Sequence, residues 1–94
     1  MINLELAAGN ARRELAGINH LIKVLGEEVY PLNRALIGQK LADQLEAWQN
    51  AVNDLGFDFS PFDVAGIRSS SYRHDDLVAS AKQAERALTY HVYH

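Results

Sequence analysis

His20 stands seven residues after Arg13 and three before Lys23, a spacing that strings one imidazole and two cations along a single helix face. An outward-facing imidazole beside a cation can accept and release a phosphoryl group, because the cation offsets the phosphate charge. Another run rich in phosphate donors is Arg68-Ser69-Ser70-Ser71-Tyr72-Arg73-His74, ending where a helix should begin and point its free N–H groups outward. Arg13, His20, Lys23, Arg68 and Arg73 are therefore the candidate phosphate or anion contacts.

The run Ile18-Asn19-His20-Leu21-Ile22-Lys23-Val24-Leu25 resembles the phospho-acceptor box of bacterial sensor histidine kinases, where a helical hairpin dimer presents the histidine to solvent. That resemblance implies a phosphotransfer protein with His20 as the acceptor. Leu21 stands where that family usually has arginine, and Val24 where it usually has asparagine. Histidine-phosphotransfer domains offer a similar match at His20 and Lys23, with Val24 in place of their usual glycine. Arg13 and His20, six residues intervening, also resemble the arginine–histidine spacing of HEPN-type helical ribonucleases, and Arg68 with His74 gives the five-residue version. That resemblance implies a histidine acting as acid or base and an arginine holding the scissile phosphate.

Other polar groups have plainer readings. His91 and His94 could touch one metal ion from one helical face, but two ligands do not make a site, so no metal is expected. Asp75-Asp76 suits the first turn of a helix, where carboxylates stabilise the dipole. Cysteine is absent, which removes disulfides, thiolate metal sites and cysteine nucleophiles together. No catalytic constellation and no cofactor motif emerges, so the residues favour binding over catalysis.

Net charge is −3, and the longest basic run is the pair Arg12–Arg13. This argues against a nucleic-acid partner, whose footprint is a basic stripe. The N-terminus lacks a signal-peptide pattern, and no stretch reaches the roughly 18 apolar residues of a membrane span, so a cytoplasmic protein without membrane contact is expected.

The elements that must position these groups are legible in the apolar spacing. Leu4, Ala8, Ala11, Leu15, Ile18, Ile22, Leu25 and Val29 alternate in steps of four and three, the spacing of a helix–helix seam. Leu41, Leu45, Trp48, Val52 and Leu55 repeat it, as do Leu77, Ala81, Ala84, Leu88 and His91. The predicted fold is a single all-α domain, residues 1–94: a three-helix bundle with a short extra helix before the last. Asn3 is the expected cap of the first helix, Gly26 its expected C-cap, and Pro31 the start of a second helix that stops at Gly56. A first helix from Leu4 to Val29 would be roughly 39 Å long. A sphere of this chain's size spans only about 30–35 Å, so an elongated bundle, a bend, or cover by a second copy or another protein is required.

The connection from Gly56 to Tyr72 is too apolar for a disordered linker. Ser60-Pro61 followed by Asp63 predicts a short helix over 61–65, and Ser69-Ser70-Ser71 a flexible stretch. The apolar residues of this loop suit a lid over the open end of the bundle, and in the functional reading Phe57, Phe59, Phe62 and Ile67 form an exposed patch with the contact area to anchor a protein partner. The expected function is that of a small acidic helical adaptor, inhibitor or antitoxin-like module that binds another protein, itself, or both, through a helical face or this loop.

Overall fold

The computed structural model describes residues 4–56 and 59–93. It is all-helical, with α1 (Leu4–Glu27), α2 (Pro31–Asp54), α3 (Val64–Arg68) and α4 (His74–Tyr93), and no strand among the described residues. The expected cap Asn3, together with Phe57 and His94, lies outside the described residues.

The four-three seams are what the helices bury. From Ala8 to Leu25 every seam residue of α1 is buried, as are Leu41 to Leu55 of the second seam and Leu77 to Leu88 of the third. They form one continuous core cluster, with Trp48, Ile18, Leu25, Leu41 and Leu45 among its largest side chains. Burying each of these side chains contributes about 1.5–3 kcal/mol. α1 packs against both α2 and α4, and α3 packs on α2. Both long neighbours run antiparallel to α1: His74 meets Ile22 near one end of α4, while Leu88 lies beside Leu15 near the other.

Length is accommodated by shape. The molecule measures 44 × 21 × 19 Å, so α1 is covered by its own chain rather than overhanging a sphere. The seam closes within one chain as far as Leu25. Val29 departs from the expectation: it lies beyond the helix and is exposed. Gly26 likewise sits inside α1 and does not cap it.

The turn between α1 and α2 has its own logic. The amide of Glu28 donates to the Val24 carbonyl, and the Glu28 carboxylate accepts from the amides of Val29 and Tyr30, both at 3.1 Å. Pro31 holds Tyr30 extended, at φ −86° and ψ 124°, and occupies the first turn of α2. No basic residue lies in the last turn of α1, and Arg34 reaches back from α2 instead. Its Nη1 donates to the carbonyls of Leu25 and Glu28, at 3.3 and 3.0 Å, placing a cation where the helix dipole is negative. At the far end of α2, Gly56 at φ +87° terminates the helix as expected.

The short helix begins three residues later than Ser60-Pro61 predicts. Phe62 is drawn into the core, edge-on to Trp48 at 5.9 Å between ring centroids, and the Ser80 hydroxyl donates to the Pro61 carbonyl at 2.9 Å. These contacts hold residues 61–62 against the bundle, and Asp63 becomes the cap, accepting from the Gly66 amide at 3.1 Å. The serine run is a hydrogen-bonded terminus: Ser70 adopts φ +60°, and the amides of Ser70 and Ser71 donate to Ile67 and Gly66. That pairing is the Schellman pattern with serine at its left-handed position.

Candidate protein-binding surface

The groups singled out for anion chemistry do not converge. Arg13, His20 and Lys23 all lie exposed on the outward face of α1, and among the described residues no hydrogen bond or ion pair joins them. Arg68 is committed elsewhere. Its Nη2 donates to Glu46 at 2.7 Å and to Asp43 at 2.9 Å, and its Nη1 donates to Gln39, which donates in return to the Arg68 carbonyl. Its hydrogen bonds to Glu46 and then Asp43 raise the arginine pKa above its ordinary value. Arg68 thus fastens α3 to α2 instead of meeting an external anion. In the segment that follows, the Ser69 hydroxyl is taken up by the Gly66 carbonyl and the His74 ring by the Ile22 carbonyl, which leaves Arg73 alone as an exposed cation.

The phenylalanine loop also turns inward. Phe62 is 8% exposed and Ile67 1% exposed, and Phe59 is half-buried against the core. Those side chains complete the core over α2 and offer a partner little surface. Phe57 lies outside the described residues. Asp75 and Asp76 fill the first turn of α4 as expected, and no cluster of three metal-ligating side chains occurs among the described residues. His91 belongs to α4, and His94 lies outside the described residues.

An exposed apolar group lies at the elbow between α1 and α2, where the sequence pattern gives no candidate site. Val29 is 77% exposed, Tyr30 66%, Leu32 73% and Leu36 62%. The cause is helical phase. At about 100° per residue, Leu36 and Leu32 stand about 140° and 180° from Leu41, the first buried leucine of the α2 seam. They therefore point away from the core while remaining neighbours of each other at i and i+4. The four side chains present on the order of 500 Å², near the upper end for the largest apolar patch on a small monomer. The signal was in the chain, since Leu32 and Leu36 fall out of step with the seam that begins at Leu41. Val29 masked it by falling in step with the first.

Exposed Glu27 precedes the patch and exposed Lys40 follows it one turn after Leu36. The elbow thus carries an apolar centre with an acid at one end and a base at the other. No described helix is long and apolar enough to cross a membrane. No family model, curated protein or solved structure matches this chain.

Proposed function

We propose that this chain is a small acidic protein-binding module, a bundle of three long helices with α3 as its lid, which docks through the elbow onto the elbow of a second copy. The observation that carries the reading is the set Val29, Tyr30, Leu32 and Leu36, left exposed beside a fully buried core. An i, i+4 leucine pair is self-complementary about a twofold axis, as an isologous interface requires. Turned antiparallel, the Glu27 end of one patch meets the Lys40 end of the other. Two such patches bury at most on the order of 1,000 Å² in total, the low end for a specific interface, so the contact is weak. The expected complex is therefore a weak, reversible dimer.

The test is sedimentation of the wild type and of Leu32→Glu/Leu36→Glu across concentration. Both substituted positions are exposed, so the fold is retained while the patch is charged. A concentration-dependent mass in the wild type alone supports the reading. A wild type that stays monomeric at millimolar concentration overturns it.

A further inference from the structure

A second surface points to a different partner. α1 and α4 enclose an open groove of about 410 Å³, sharing no residue with the elbow. Its floor is apolar, built from Ile22, Val78 and Ala81, and its rims carry Lys23 from α1 and Lys82 from α4, with Glu85 at one end. Among the described residues, neither lysine forms an ion pair or hydrogen bond, nor do the exposed His20 and Arg86 one turn further along each helix. The contrast with the other side is sharp, since Asp43 and Glu46 on α2 are already paired with Arg68. A chain of net charge −3 thus keeps unpaired cations beside this groove.

We infer that the α1–α4 groove receives an acidic amphipathic helix from another protein, making the module an adaptor that can dimerise and recruit at once. The inference rests on the binding-module reading but on separate residues. The α4 wall of the groove runs over twelve residues from His74 to Glu85, about 16 Å or three helical turns, and its α1 wall runs from Asn19 to Lys23. A helix of that length lays apolar side chains at i, i+3, i+4 and i+7 on the floor while flanking carboxylates reach Lys23 and Lys82. A drug-sized molecule is a poorer fit, because small ligands need a site that encloses most of their surface and this one is open along its length. A basic helix is opposed by the rims.

The probe is a fluorescent, end-capped 14-residue peptide with leucines at i, i+3, i+4 and i+7 and glutamates on the flanks, alongside a twin carrying lysines for glutamates. Fluorescence anisotropy is measured at low and high salt against the wild type, Lys23→Glu/Lys82→Glu and Leu32→Glu/Leu36→Glu. The inference expects the glutamate peptide to bind at least tenfold more tightly than its twin and to weaken with salt. It also expects the lysine reversals to cost at least tenfold and the elbow substitutions to leave binding unchanged. Equal binding of the two peptides, or binding of neither, overturns the groove. Binding lost in the elbow variant and kept in the lysine variant overturns the groove while leaving the elbow reading standing.

Discussion

The imidazole of His74 rests directly on Gly26. A Cβ at position 26 would stand 2.6 Å from Nε2, while that nitrogen lies 3.0 Å from the Ile22 carbonyl and donates to it. A carbonyl only accepts, so the bond requires the proton on Nε2. Gly26 thereby lets the first residue of α4 lock onto the last turns of α1.

This contact predicts a change of sign between two backgrounds. In the wild type, Gly26→Ala gains about 1 kcal/mol of helix propensity but must displace a ring held by a hydrogen bond. Overpacking of this kind costs about 1–3 kcal/mol, so the net effect is destabilising by about 1 kcal/mol. With His74→Ala present, the obstruction is gone and Gly26→Ala stabilises by about 0.5–1 kcal/mol. Urea denaturation of the four proteins in the cycle measures the coupling.

The end of α3 predicts two opposite effects. Ser70 carries a left-handed backbone with a side chain that does not favour it, so Ser70→Gly raises stability by about 0.5–1 kcal/mol. Gly66 has no such freedom: a Cβ there would come within 2.8 Å of the Ser71 backbone carbonyl and 2.5 Å of the capping carboxylate of Asp63. Backbone cannot step aside cheaply, and Gly66→Ala costs about 2 kcal/mol or more. Thermal unfolding separates them, at about 4–8 °C per kcal/mol for a chain of this size.

Trp48 is the sole tryptophan and is buried, so its emission reports the core directly. Its indole Nε1 finds no acceptor among the described residues, a donor buried at a cost of about 1–3 kcal/mol. Trp48→Phe removes that donor and keeps an aromatic edge for Phe62. The expected loss is under about 1.5 kcal/mol, against about 3–5 kcal/mol for Trp48→Ala. Near-equal losses in the two variants would contradict this expectation.

The seams were legible because burial enforces them. A four-three spacing held over five or more residues places each side chain on one stripe, and the stripe from Ala8 to Leu25 is buried throughout. Boundaries were less legible, since they depend on contacts between distant residues. The pull of Trp48 on Phe62 moved the start of α3, and Arg34, nine residues beyond Leu25, supplied the cap expected from Gly26. The site was least legible. Phenylalanines in a loop read either as a lid or as an exposed anchor, and the burial of Phe62 and Ile67 agrees with the lid, whereas Leu32 and Leu36 read as ordinary helix residues until the seam fixes their phase. Arg68 followed the same course, since no local pattern announces that Asp43 and Glu46 will claim it.

Sedimentation velocity across concentrations from about 5 to 1,000 µM tests the elbow most directly. The wild-type mass is expected to rise toward twice the monomer within this range, and Leu32→Glu/Leu36→Glu to remain monomeric at every concentration with unchanged helicity. A wild type that remains monomeric throughout, or a dimer that survives both substitutions, would contradict it.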